Sequence, residues 1–225
     1  MMRPDASTTT QDLFDDLNLR SPEQPQLAPG AMLLRGLALL QSSAILDAIQ
    51  KVLAEAPLRH MTTPGGFRMS VAMSNCGEAG WVTDRRGYRY EPIDPLSGRP
   101  WPSMPAVFQS LAADAAVKAG FDHFVPDACL INRYETGARM SLHQDRNERD
   151  MAAPIVSVSL GAPAVFLFGG AKRNDKPQRI PLQHGDVLVW GGPSRLFFHG
   201  VMPLKPHDGS VLGAQRINLT FRKAL

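Results

Sequence analysis

From Asp127 onward the chain reads as a succession of short strands with no helical period between them. Residues 128–134, 155–160, 164–168, 186–190, 196–199 and 217–221 are each rich in β-branched or aromatic side chains and bounded by Gly or Pro. Strands that follow one another without intervening helices pair antiparallel. The pattern therefore points to a sandwich or jelly-roll and excludes a doubly wound α/β fold. With 225 residues the chain has enough length for one sizeable core.

Two helices are expected ahead of this region. One follows Ser42, with Ile45, Leu46, Ile49, Val52 and Leu53 on one face, and is closed by Pro57. The other starts near Pro105 after a Ser103 cap, turns Val107, Phe108, Leu111 and Ala115 inward, and stops at Gly120. Residues 57–102, between the helices, are loaded with Gly, Pro, Arg, Met and aromatics and lack helical period. Such a segment reads either as a small β-meander over a core edge or as a binding lid.

Charge is uneven along the chain. Residues 1–26 carry a net −3 and read as an acidic, flexible tail, which leaves +6 on the remainder. A moderately basic body is compatible with a phosphate-bearing partner without requiring one. Cys76 and Cys129 are too few and too isolated for a disulfide framework or a CxxC zinc site, and read as reduced thiols. No signal peptide or membrane-length apolar run is visible, so a cytoplasmic protein without a membrane contact is expected.

Two His-x-Asp pairs carry the chemistry: His143-Gln-Asp145 and His184-Gly-Asp186. About 0.4 such matches arise by chance in a chain of this composition, so neither is decisive alone. Gly185 favours a tight turn that would splay its neighbours, whereas 143–145 lies in a polar stretch after a strand; the first pair is preferred. Residues two apart on an extended strand face the same way. A third ligand from His199 would complete two imidazoles and one carboxylate, a facial set suited to non-haem Fe(II) with a chelating co-substrate and O₂. Taken alone, His199 reads more readily as a hydrogen-bonded core residue than as a ligand. Arg216, Asn218, Thr220 and Arg222 share one face of the last strand, and a bidentate arginine there suits a carboxylate.

The stretches 126–134 (PDACLINRY), 142–145 (LHQD), 154–161 (PIVSVSLG), 168–170 (FGG), 172–175 (KRND), 184–187 (HGDV), 189–192 (VWGG) and 218–222 (NLTFR) resemble the bacterial AlkB family over about residues 28–222. Its members are Fe(II)- and 2-oxoglutarate-dependent dioxygenases that repair alkylated bases. The resemblance implies an α+β, mainly β fold: a double-stranded β-helix (jelly-roll) core at about 103–225 with two supporting helices and a β-rich nucleotide-recognition lid at about 57–102, together one domain over 27–225. It implies His143, Asp145 and His199 as iron ligands. Arg222 matches the arginine that pairs with the far carboxylate of 2-oxoglutarate, with Asn132, Tyr134, Arg216 and Asn218 as further contacts. Trp81 matches the aromatic that stacks on a flipped-out base, and Thr63, Met73, Tyr88 and Arg173 match residues along the nucleotide path. Lid arginines Arg85, Arg86 and Arg89 read either as phosphate contacts or as solvated charges.

The implied reaction consumes Fe(II)-bound O₂ and 2-oxoglutarate and releases succinate, CO₂ and an aldehyde, formaldehyde when the group is methyl. The implied substrate is alkylated DNA, single-stranded or with the base flipped out, with RNA as a further candidate, and the protein is expected to act as a monomer. Asn147 departs from the family pattern, which has an acidic residue there near the base. A neutral amide attracts cationic 1-methyladenine and 3-methylcytosine less than a carboxylate would. Two other readings compete: a related oxygenase acting on protein or small molecules, and an inactive nucleic-acid-binding module.

Overall fold

The alternation along the last strand decides how the molecule is layered. The structure, a computed structural model, describes residues 25–225. In chain order it contains β1 (Gln26–Ala28), β2 (Ala31–Leu34), α1 (Ser42–Glu55), β3 (Arg59–Thr62), β4 (Arg68–Gly77), β5 (Gly80–Asp84), β6 (Gly87–Glu91) and α2 (Ala106–Lys118). The second half holds β7 (Ala128–Tyr134), β8 (Met140–His143), β9 (Ile155–Gly161), β10 (Ala164–Phe168), β11 (Gln178–Leu182), β12 (Val187–Trp190), β13 (His199–Val201) and β14 (Arg216–Arg222).

Ile217, Leu219 and Phe221 of β14 join Val156, Val158 and Leu160 of β9 in a cluster with Ile45 and Ile49 of α1 and Phe108 and Leu111 of α2. Phe108 meets Phe221 edge-to-face at 5.9 Å. Each such fully buried side chain contributes about 1.5–3 kcal/mol over an exposed one, which holds both helices on one side of the sheet. A second cluster fills the other side, with Leu130, Tyr134, Leu188, Trp190, Phe166 and Phe168. Period-2 geometry turns the even-numbered residues of β14 toward that second side. All seven residues of β14 are buried, so its polar set faces the interior of the molecule.

The main sheet runs β1-β2-β12-β9-β14-β7-β4-β3, the smaller one β11-β10-β13-β8, and β5-β6 form a separate hairpin. All pairings are antiparallel, giving the jelly-roll core expected from sequence. No helix among the described residues is long and apolar enough to cross a membrane.

Several boundaries differ from the sequence reading. Segment 57–102 is not one separate layer: β3 and β4 belong to the main sheet, with β4 paired along β7, and only β5–β6 stand apart. Helix α2 is not capped by Ser103; Pro105 precedes it, and its carbonyl accepts from the amides of Phe108 and Gln109. Residues 196–198 are not strand: the Phe197 amide closes a turn onto Ser194 O, and the strand begins only at His199. The β1–β2 pair was not anticipated, and Gln26, assigned to the tail, opens β1. The rest of the tail reading lies outside the described residues. Gly120, at φ +85°, ends α2 as expected. Cys76 and Cys129 are free and buried, paired across β4 and β7.

Candidate active site

His143 closes β8, and antiparallel pairing sets it opposite His199 at the start of β13. This close approach depends on Gly200, where a Cβ would lie 2.6 Å from the Met140 carbonyl oxygen. The two imidazole centroids are consequently 4.4 Å apart. Each Nδ1 faces a backbone carbonyl, Ser141 O at 2.8 Å and Phe197 O at 3.0 Å. A ring nitrogen facing a carbonyl is a donor, so in the neutral tautomer Nδ1 carries the proton and Nε2 is the nitrogen left to ligate.

Both Nε2 atoms converge on Asp145. Nε2 of His143 lies 3.6 Å from Oδ1 and Nε2 of His199 lies 3.7 Å from Oδ2. The three donor groups fall within 4.8 Å of one another. Crowding around the His143 imidazole, then the facing His199, pushes its pKa down to about 4, so it is neutral and ready to ligate at pH 7. Its side chain still keeps 39% of its surface open. Two imidazoles and one carboxylate, on one side of a common point, fit Fe(II).

The competing pair at 184–186 is structural. Gly185 turns the chain at φ +84°. His184 Nδ1 accepts from the Gly161 amide, and buried Asp186 accepts from the amides of Gly36 and Gln183 and pairs with Arg35 at 2.6 Å.

Charge beside the triad is tightly organised. Arg222 donates from Nε and Nη2 to Asp145 Oδ2 at 3.0 and 2.7 Å. Burial alone would raise the Asp145 pKa, but the charge of Arg222 brings it well below the usual carboxylate range. Glu148, also buried, lies 3.4 Å from Arg222 Nε through Oε1 and accepts from Arg195 Nη2 at 3.1 Å through Oε2. The Tyr90 hydroxyl donates to Glu148 Oε1 at 2.6 Å, and burial keeps this phenol protonated well beyond its ordinary pKa. Sequence reasoning missed Glu148, Arg195 and Tyr90; the one available signal was a second carboxylate three residues after Asp145.

A cavity of ≈ 50 Å³ adjoins the triad. Asn132, Tyr134, Asn218, Thr220 and Arg222 line its polar side, with Leu130, Phe166 and Trp190 among its apolar walls. Asn132 donates to Asn218 Oδ1 at 3.2 Å, and Asn218 donates in turn to Ser157 Oγ. Arg216 is 1% exposed, lies over the Tyr134 ring at 5.0 Å and gives one N–H to Ser159 Oγ. Its Nε and Nη1 have no partner among the described residues. A buried guanidinium with two idle donors is costly unless an anion completes it. That is the observation by which the site fits a dicarboxylate as well as a metal.

The β5–β6 hairpin presents an aromatic face. Trp81 pairs with Tyr90 across the hairpin and stacks on Tyr88 at 5.6 Å, so the three rings share one side. Buried Asn75 fixes Trp81 by donating to its carbonyl and accepting from its amide, a clamp the sequence did not advertise. Thr63 sits at the β3–β4 turn, its hydroxyl oxygen accepting from the Phe67 amide. Arg173 is exposed over the Phe198 ring at 5.8 Å, and Asn147 is exposed between Asp145 and Glu148. Met73 has no exposed surface: it packs in the inner cluster opposite Asn132, not along an open path. Arg89 is held by Asp84 and Glu91, which removes it from the candidate phosphate contacts.

Residues 30–222 match the profile of the 2OG-Fe(II) oxygenase superfamily. The chain belongs to this superfamily. Within it, the chain is 56% identical to the alpha-ketoglutarate-dependent dioxygenase AlkB of Salmonella typhimurium, over 95% of this chain and 97% of that one. It is 54% identical to the Escherichia coli AlkB with the same coverage. The solved structure of OsALKBH1 superposes with a TM-score of 0.78 at 30% identity, covering 89% of this chain and 99% of that chain. This 2OG-Fe(II) oxygenase is thus an enzyme that uses Fe(II), O₂ and 2-oxoglutarate.

Proposed function

We propose that this oxygenase removes alkyl groups from nitrogen atoms of nucleic-acid bases, with alkylated DNA as its main substrate and RNA as a further one. The observation that carries the reading is the aromatic face of β5–β6, tethered to the metal side through Tyr90 and Glu148. A base inside a duplex is out of reach, so it must be unstacked and captured against a π-face. Trp81 with Tyr88 supplies such a platform. Thr63 and Arg173 border the path of the strand, and Asn147 hydrogen-bonds the exocyclic amino group. The protein works as a monomer on a single strand or on a base flipped from a duplex.

His143, Asp145 and His199 would hold the iron. When bound, Fe(II) with 2-oxoglutarate and O₂ supplies the oxidising power that hydroxylates the N-alkyl carbon, after which aldehyde is lost. The chain's own work is positional. Arg222 keeps Asp145 charged and oriented. The resemblance assigned the far carboxylate of 2-oxoglutarate to Arg222, whose Nε and Nη2 are engaged by Asp145 and Glu148. Arg216 has two buried donor atoms without a partner among the described residues, so in this reading it would hold the far carboxylate, with Tyr134 and Asn132 nearby, and Arg222 and Asn218 would serve the rest of the co-substrate. Leu130, Phe166 and Trp190 keep water from the reacting centre.

The test is mass spectrometry of defined methylated oligonucleotides incubated with wild type and with His143→Ala. Dealkylation that requires Fe(II), 2-oxoglutarate and His143 is the expected result. Turnover of 2-oxoglutarate with no loss of alkyl mass from any oligonucleotide would overturn the substrate assignment.

A further inference from the structure

We propose that Glu148 is a positioning residue that joins the seating of the β5–β6 hairpin to the orientation of Asp145, with Tyr90 as its hold on the hairpin. The inference rests on the reading of Asp145 as a metal ligand.

Glu148 is 6% exposed and neither reaches the triad nor lines the cavity. A buried carboxylate is retained only where cations and hydrogen bonds compensate its desolvation. Both of its oxygens are used. Oε2 accepts from Arg195, whose other N–H groups donate to the backbone carbonyls of Ala153 and Asp145 at 3.0 and 2.7 Å. Arg195 therefore fixes both Glu148 and the main chain of the metal ligand. Oε1 lies against Arg222 and accepts from Tyr90. Arg222 in turn grips Asp145 Oδ2 and leaves Oδ1 toward His143.

Tyr90 belongs to the hairpin that stands apart from both large sheets, and its hydroxyl reaches across 58 residues of chain. Lifting β5–β6 would strip Oε1 of its phenolic donor inside a low-dielectric cluster of two carboxylates and two guanidiniums. The Glu148 carboxylate would then turn more fully onto Arg222 and draw it from Asp145. Conversely, a metal on Asp145 that fixes Arg222 favours the seated hairpin, because coupling between two sites is reciprocal. Trp81 and Tyr88 share the face of Tyr90, so the aromatic platform and the metal ligand are held through one carboxylate.

The test uses the full-length protein loaded with Mn(II) and 2-oxoglutarate, a redox-silent substitute, with peptide-level hydrogen exchange and Mn(II) titration as readouts. In wild type, loading slows exchange across residues 80–91. Tyr90→Phe removes only the hydroxyl; its unloaded hairpin is expected to exchange about tenfold faster, the weight of one hydrogen bond to a charged acceptor. Its response to loading is expected to vanish while α1, α2 and β9 exchange as in wild type. Glu148→Gln keeps an acceptor for Tyr90 but loses the charge facing Arg222. It is expected to hold the hairpin and to lower Mn(II) affinity about tenfold or more. A Tyr90→Phe hairpin that still slows on loading as in wild type would overturn the proposal. So would a wild-type hairpin indifferent to loading under conditions where Mn(II) binding is independently measured, a result that leaves the dioxygenase reading standing. Absence of Mn(II) binding by wild type would overturn both.

Discussion

Arg222 places two N–H groups on a single oxygen of Asp145, so the remaining oxygen is the one turned to His143. A lysine in its place keeps the charge but not the fork. Arg222→Lys is expected to fold and to lose about 10- to 100-fold in metal affinity, the usual cost of disturbing a group that orients a ligand. Mn(II) titration followed by electron paramagnetic resonance measures this directly; unchanged affinity would show that the fork is dispensable.

Arg216 makes an unusual prediction because burial already holds its guanidinium below its ordinary pKa and two of its donors are idle. Arg216→Met should leave the thermal midpoint of the unliganded protein unchanged or raised, since a buried unpaired charge is replaced by an apolar chain. The dissociation constant for 2-oxoglutarate should rise about 10- to 100-fold. Calorimetric titration and thermal unfolding on the same samples separate the two effects.

Asn147 is the position at which lesion preference is set in the proposed reaction. Introducing a carboxylate with Asn147→Asp adds roughly 1 kcal/mol of attraction for a cationic base at partly solvated distances, about fivefold. Competition between an oligonucleotide with a charged lesion and one with a neutral lesion, for each protein, reads the ratio. Equal ratios would remove Asn147 from the account of specificity.

The base of the hairpin carries a pH dependence of known sign. Burial opposes ionisation of Asp94, but its hydrogen bonds to Arg59, at 2.9 and 2.6 Å, and to the Leu96 amide bring its pKa below the usual carboxylate value. A carboxyl depressed in the folded state adds stability that is complete above its unfolded pKa and disappears as pH falls through the folded one. The protection of residues 91–102, their exchange corrected for the intrinsic pH dependence of amides, should therefore stay constant at neutral pH and fall only on the acid side of about pH 4. Asp94→Asn should abolish that acid-side step.

Trp81→Ala tests the platform. Loss of one base–aromatic stack costs about 1–3 kcal/mol, so KM for the oligonucleotide should rise 10-fold or more while 2-oxoglutarate binding is untouched. Equal losses in both would mark Trp81 as a folding residue.

What the sequence disclosed followed the range of each signal. Period-2 alternation placed Arg216, Asn218, Thr220 and Arg222 on one face, and Gly185 marked the rejected His-x-Asp pair as a turn, because both are local properties of the chain. Residues 196–198 read as strand from their aromatic content, yet Phe198 donates its amide to Gly170, a partner no local pattern reveals. Met73 showed the same limit, since whether a methionine lines a path or fills a core depends on what the other sheet places over it. The network through Glu148 was invisible for a related reason. Tyr90, Glu148, Arg195 and Arg222 are far apart in sequence and meet only once both sheets and the hairpin are assembled.

The last strand separates an apolar, helix-packed core from a polar chemical interior across the thickness of one polypeptide. Its seven positions should accordingly fail in two distinct ways under saturation mutagenesis. Changes at 217, 219 and 221 would deplete the amount of protein recovered, whereas many changes at 216, 218, 220 and 222 would yield normal amounts of an inert one. A plot of abundance against activity would split these neighbours by parity, with adjacent residues landing in opposite corners.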